Sequence, residues 1–203
     1  MRGRFIVVEG IDGSGKTTLA ERLAEALTRS GRQVLRTREP GGTRLGEKIR
    51  ELLLNRRHSE MVPMTEFFLY MASRAQLVDQ VIRPALRKGI DVVCDRYYYS
   101  TAAYQGAAGR VGVGEVLHVA EKIARFDRPD VVAILDLPPR VARRRAGVRN
   151  DRVESKGAAY QERVRRGFLK IARRDRRRFR VIDASRPLEE VLGELRKAAG
   201  LGV

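Results

Sequence analysis

The sequence predicts an α/β fold, a three-layer doubly wound parallel sheet of about five strands with helices on both faces. Three observations lead there. Short apolar runs recur at 4–9, 33–37, 90–94, 131–136 and 179–183, each of a length and composition suited to a strand buried on both faces. Helical patterns separate them at about 16–29, 44–55, 64–88, 113–126, 138–146, 156–176 and 187–199. The chemically distinctive residues follow the C-terminal ends of the strands, where ligands gather in such sheets.

The first strand, Phe5-Ile-Val-Val, runs into Gly10-x-x-x-x-Gly15-Lys16-Thr17, and a helical pattern begins at once. Strand, glycine-rich loop and helix in that order make the phosphate cradle of the P-loop NTPase fold. The glycines let successive backbone N–H groups turn inward at a helix N-terminus. Gly10, Ile11, Asp12, Gly13, Ser14, Gly15, Lys16, Thr17 and Thr18 are therefore the candidate triphosphate site. Lys16 can reach the β- and γ-phosphates, and the Thr17 hydroxyl can ligand Mg²⁺. Asp12 would repel a bound triphosphate, so it serves another purpose, either a hydrogen bond within the loop or a contact beyond it.

The second strand leads into Arg38-Glu-Pro-Gly-Gly-Thr43, a tight turn whose glycines permit close backbone approach. Tyr70 and Arg74 stand one turn apart on the helix at 64–88 and share a face. Such a pair suits a flat base bearing carbonyls, although a core tyrosine beside a surface arginine has the same spacing. The third strand ends at Asp95-Arg96-Tyr97, where a planar guanidinium can hold a phosphate bidentately. Cys94, inside this strand, reads as a small buried hydrophobe. Gln105-Gly-Ala-Ala-Gly-Arg-Val-Gly-Val-Gly114 reads as a surface loop, and 147–157 as an exposed, mobile segment.

At 203 residues, a single domain over 1–203 is expected, with enough chain to bury a core. No apolar run approaches membrane-spanning length, and Met1-Arg-Gly-Arg leads straight into a strand without room for a signal peptide. A lone cysteine excludes an internal disulfide, which fits a reducing cytoplasm. The net charge of +17 comes from 35 arginines and seven lysines set against 25 acidic residues. The arginine-rich stretches 140–152 and 163–180 hold only Phe168 and Phe179 as aromatics, not the interleaved aromatic platform of single-strand binders. Most of the surplus reads as solvated surface, with no specific nucleic-acid partner expected.

Five blocks occur in order: Glu9-Gly-Ile-Asp-Gly-Ser-Gly-Lys-Thr-Thr18, Arg38-Glu-Pro-Gly-Gly-Thr43, Ala72-Ser-Arg-Ala-Gln76, Asp95-Arg-Tyr-x-x-Ser-x-x-Ala-Tyr-Gln105 and Ile182-Asp-Ala-Ser-x-Pro187. As an ordered set they resemble thymidylate kinase from Phe5 to about Ala198. The resemblance implies a nucleoside monophosphate kinase that uses ATP and Mg²⁺ to convert dTMP to dTDP, as a cytoplasmic homodimer. Another nucleotide or nucleoside kinase on the same fold is the nearest alternative. A non-kinase P-loop protein that binds ATP and nucleic acid is a more distant one, supported only by the charge.

The resemblance also implies roles. Asp12 faces the acceptor sugar 3′-hydroxyl, Glu39 borders the sugar-phosphate, and Arg96 holds the 5′-phosphate. Gly41 stands where many family members carry a phosphate-binding arginine, so that contact comes from elsewhere. Tyr70 replaces the family's usual stacking phenylalanine, and Arg74 addresses thymine O4. Ser100, Thr101, Tyr104 and Gln105 form the sugar and base floor, with Tyr104 near C2′. Asp95 either orients an arginine or assists Mg²⁺ through water. The stretch at about 141–156 matches the mobile lid. Because Ser14 occupies the place of a loop arginine found in some relatives, Arg149 and Arg152 are the candidate catalytic cations, with Arg145 next. Arg143, or Arg144 beside it, would stack on adenine opposite the loop containing Ala184.

Overall fold

Burial on both faces decides the architecture. The computed structural model describes residues 2–146, 152 and 156–201. The five apolar runs form strands β1 (Phe5–Gly10), β2 (Val34–Arg38), β3 (Asp91–Asp95), β4 (Val131–Asp136) and β5 (Phe179–Asp183). All four pairings are parallel, in the order β2-β3-β1-β4-β5. Every residue of β1 is buried, and successive side chains point to opposite faces, so helices must cover both. β2 and β5 lie at the edges and are more exposed. The order changes direction between β3, β1 and β4, which places the C-terminal end of β1 at the crevice where such sheets bind ligands.

The helices follow the apolar spacing. α1 (Lys16–Arg29) buries Leu19, Ala20, Leu23, Ala26 and Leu27, a stripe of period 3.6. α2 (Arg44–Leu54) starts at Thr43, whose hydroxyl accepts from Gly46 N at 2.9 Å. The long pattern at 64–88 becomes α3 (Pro63–Leu77), a wider π turn at Val78–Ile82 and α4 (Arg83–Arg87), with helical dihedrals at each junction. No helix among the described residues is long and apolar enough to cross a membrane.

The expected surface loop at 105–114 is largely helical. α5 (Tyr98–Thr101) continues as a π-wound run over Ala102–Ala108 that buries Gln105, Gly106 and Ala108. A short link then leads to α6 (Val113–His118), itself extended by a π turn at Val119–Ile123. The glycines and alanines that read as a loop are there for close packing. After α7 (Pro139–Ala146), α8 (Ala158–Ala172) lies against the 102–108 run, and α9 (Leu188–Ala198) closes the chain. A Cβ on Gly167 of α8 would sit 2.9 Å from Ala107 Cβ and 3.3 Å from Ala103 Cα.

That contact gives a test. Gly167→Leu should overpack the seam between α8 and 102–108 at a cost of about 1–3 kcal/mol. Each kcal/mol lowers Tm by about 2–4 °C in a domain of this size, so a thermal melt should fall by several degrees.

Candidate active site

The phosphate loop is built by backbone geometry. Gly10, Gly13 and Gly15 have φ of 146°, 80° and 89°, a region open to glycine. At Gly13 a Cβ would also lie 2.3 Å from the Ala142 carbonyl oxygen, so α7 packs directly on the loop. Lys16 is buried, and its Nζ donates to Ile11 O at 2.8 Å. Burial first, then the nearby Arg96, push its ammonium down to about 8, against the pull of Asp12, Asp95 and Glu9. Thr17 Oγ1 donates to Asp95 Oδ2 at 2.6 Å. Asp95 Oδ1 is buried and has no partner among the described residues.

Arg96 joins the loop to the segment after β3. It has φ of 73°, an uncommon conformation for a residue with a side chain, of the kind held where function requires it. Its backbone N–H continues the ladder to Val8 O at 3.0 Å. Its guanidinium donates to Asp12 Oδ1 at 2.5 Å, Gly10 O at 3.0 Å and Ser100 Oγ at 3.0 Å. Tyr104 OH donates to Asp12 Oδ2 at 3.1 Å. Burial tends to raise the Asp12 carboxyl, but Arg96 and Lys16 hold it down at about 2. Ser100 in turn donates to Glu9, a fully buried carboxylate that also accepts from Tyr97 N at 2.8 Å.

A cleft opens beside this network, lined by Asp12, Arg50, Arg96, Ser100 and Tyr104. Tyr70, Arg74, Thr101 and Gln105 line it too. Arg74 is 1% exposed, which rules out the surface-arginine reading. It pairs with Glu39 Oε2 at 2.5 Å and donates to Thr101 Oγ1 at 3.1 Å. Burial holds Glu39 above the ordinary carboxylate range, although Arg74 opposes the shift. Burial likewise pushes the half-buried Tyr70 phenol up to about 12.

A second cavity lies between Ser14, Gly15, Arg145 and the 184–188 loop. Arg145 donates to Ala184 O at 2.6 Å and Ser185 O at 3.1 Å, and also lines the cavity over Lys16 and Thr17. Arg143, expected at this place, is exposed and lines neither cavity. The α7 face that packs on Gly13 presents Arg145 to the loop.

Arg152 also departs from expectation. Its guanidinium pairs with buried Glu66 at 2.5 Å and donates through Nε to Leu53 O at 3.0 Å, away from the phosphate loop. Arg149 lies outside the described residues.

The sequence profile of the thymidylate kinase family matches residues 8–195. A thymidylate kinase of Pelotomaculum thermopropionicum is 48% identical, with 98% of this chain and 94% of the relative covered. One from Deinococcus radiodurans is 43% identical over 96% of this chain and 95% of its own. The crystal structure of the Ehrlichia chaffeensis thymidylate kinase superposes with a TM-score of 0.80 at 30% identity, covering 98% of this chain and 99% of that one. The chain belongs to the thymidylate kinase family. Its activity is the family's, ATP-dependent phosphoryl transfer to a nucleoside monophosphate, dTMP.

Within this kinase, sequence reasoning missed Arg50 and Glu66. Arg50, on α2, lines both the acceptor cleft and the cavity over the loop, and donates to Pro40 O at 2.9 Å. Gly41 signalled that some other cation was needed, but helical spacing alone did not say which. Glu66 carried no signal, because its partners come from distant parts of the chain.

The depressed Lys16 has a measurable consequence. In the free enzyme at pH 8.5, part of the Lys16 population is neutral, and a bound triphosphate favours the ammonium. ATP binding should therefore take up protons at pH 8.5 and much less at pH 7.5. Calorimetry in buffers of different ionisation enthalpy reads this directly, and Lys16→Met should abolish the difference.

Proposed function

We propose that this kinase transfers the γ-phosphoryl group in line across the space between Lys16 and Arg96, with ATP on the phosphate loop and dTMP in the cleft. One observation carries this reading. A single cavity of about 450 Å³ is lined by Lys16 and Thr17, by Arg50 and Arg96, and by Arg145. An acceptor phosphate oxygen forms the new bond to the γ-phosphorus as the bond to the β-phosphate oxygen breaks, and ADP leaves. No side chain becomes covalently linked.

The chain's part is positioning and charge. Transfer spreads negative charge over the oxygens of the migrating group, and fixed cations stabilise it there. Lys16, Arg96 and Arg145 take that role, while Arg50 supplies the phosphate contact that Gly41 cannot. Asp12 is fixed by Arg96 and Tyr104 and is acceptor-only at working pH, so it suits the sugar 3′-hydroxyl. Arg74 offers donors toward thymine O4 beside Tyr70. Thr17 would hold Mg²⁺, with Asp95 acting through water; the buried, unpartnered Asp95 Oδ1 fits that arrangement. Bound there, the ion would neutralise triphosphate charge. A homodimer and a cytoplasmic setting complete the proposal by family resemblance; the single buried thiol, Cys94, is compatible with the latter.

Two measurements test the assignment. A coupled ADP-release assay across dTMP, dUMP, UMP, dCMP and thymidine should show dTMP as the best acceptor, and Lys16→Ala should lose turnover by about a hundredfold or more. Tyr104→Ala should raise ribonucleotide use relative to dTMP, because it vacates space beside the sugar. An unchanged ratio would remove Tyr104 from the sugar pocket.

A further inference from the structure

Glu66 is a buried carboxylate in the first turn of α3 that none of the steps above uses. Three donors from two other parts of the chain converge on it. Gln105 Nε2 reaches Oε2 at 2.8 Å, while Arg152 Nη1 and Lys156 Nζ reach Oε1 at 2.5 and 2.6 Å. Tyr70 and Arg74 follow Glu66 at successive turns of α3, so the three share one stripe, and Gln105 lines the acceptor cleft itself.

Resting on the dTMP assignment, we propose that Glu66 is a positioning residue for base recognition: it pins the Gln105 amide nitrogen so that Gln105 offers its carbonyl oxygen to thymine N3–H. An ionised carboxylate can only accept hydrogen bonds. A flipped Gln105 would set its carbonyl oxygen against that carboxylate, two acceptors in a buried place, which is costly. A neutral carboxyl group would permit the flip by donating its own proton. Arg152 and Lys156 remove that option. Burial alone would raise the Glu66 carboxyl, but the bonds from Lys156, Arg152 and Gln105 bring it below its ordinary value. Tyr70 and Tyr160, the other titratable groups facing it, are both shifted upward and neutral at working pH.

The two cations therefore act on recognition through Glu66. Arg152 is held in place by a second anchor, the Leu53 carbonyl at the end of α2, where unsatisfied helix carbonyls favour a cation. Arg74 donating toward O4 and Gln105 accepting from N3–H together match thymine. Cytosine reverses both positions, with a donor at C4 and an acceptor at N3.

The test is the binding preference for dTMP over 3-deaza-dTMP, in which C–H replaces N3–H, measured by calorimetry on the full chain. The wild type should prefer dTMP by about tenfold, the worth of one hydrogen bond. Glu66→Gln frees the Gln105 amide and should bring the preference to within about twofold, while Glu66→Asp, which keeps the charge, should retain most of it. Lys156→Met should shift the preference in the same direction as Glu66→Gln and keeps the test decisive if the glutamine variant does not fold. ATP affinity should stay the same throughout. A wild-type preference in Glu66→Gln, or in Lys156→Met where the glutamine variant is unfolded, overturns the proposal even if melting temperature or kcat falls, since a purely structural role would move only those. Failure of the wild type to phosphorylate dTMP would instead overturn the assignment of the substrate.

Discussion

The Arg96–Asp12 pair is the constraint on which the site depends. It connects the residue just beyond the end of β3 to the phosphate loop after β1, and it exists because neighbouring parallel strands end side by side. The guanidinium reaches Asp12 and Gly10 O while its backbone still pairs with Val8, and a left-handed φ at position 96 makes both possible. Glu9 steadies the arrangement from below, binding Ser100 and Tyr97 N with a carboxylate fully enclosed in the sheet. Buried ionic groups of this kind cost desolvation and are sustained only when each charge is paired and hydrogen-bonded. Loss of one partner would leave an uncompensated charge beside the reacting phosphates, so positioning of the acceptor and integrity of the loop are one problem.

Arginine abundance alone says little about which guanidiniums act. Arg36 and Arg166 make exposed pairs with Glu21 and Glu162, of a kind that adds little stability. Arg165 pairs with Asp136 at 2.6 Å at the end of β4 and is largely architectural. The arginines of the site differ in being held by fixed protein groups: Arg50 by Pro40 O, Arg145 by Ala184 O and Arg96 by Asp12. A preorganised cation does not have to be ordered as charge develops, which is where its electrostatic advantage lies.

Legibility in the sequence follows this division. The strands and the phosphate loop were readable because their signals are local: β-branched runs of strand length, and glycines at positions whose φ only glycine adopts easily. Arg74 and Tyr70 shared a face by spacing alone. What failed was information carried between distant segments. The glycines and alanines of 105–114 looked like a loop because small residues mark both turns and close helix contacts, and over 105–108 the approach of Gly167 shows the latter. Arg145 and Arg143 lie two residues apart on α7, hence on different faces, and the contact of Gly13 with Ala142 decides which one meets the loop. Arg152 read as a catalytic lid cation because it falls in the stretch matching the lid, whereas its carboxylate partner, Glu66, is 86 residues away.

The same distances separate recognition from chemistry. The proposed phosphate-handling groups follow two neighbouring central strands, Lys16 opening α1 after β1 and Arg96 standing just past β3, a rigid frame. The proposed base-facing groups Tyr70 and Arg74 lie on one helix, with Glu66 at its head and Gln105 on the neighbouring π-wound run. Under the proposed assignment, a change on the α3 stripe acts first on which base is accepted and how tightly. A change around the phosphate loop and Arg96 then acts first on the rate at which the phosphoryl group moves. Glu39 is the exception: its backbone N–H bonds to Asp95 O while its carboxylate pairs with Arg74, so it touches both halves. Through Glu39 a disturbance around Arg74 can reach the strand end that carries Asp95, so the two regions cannot be fully independent.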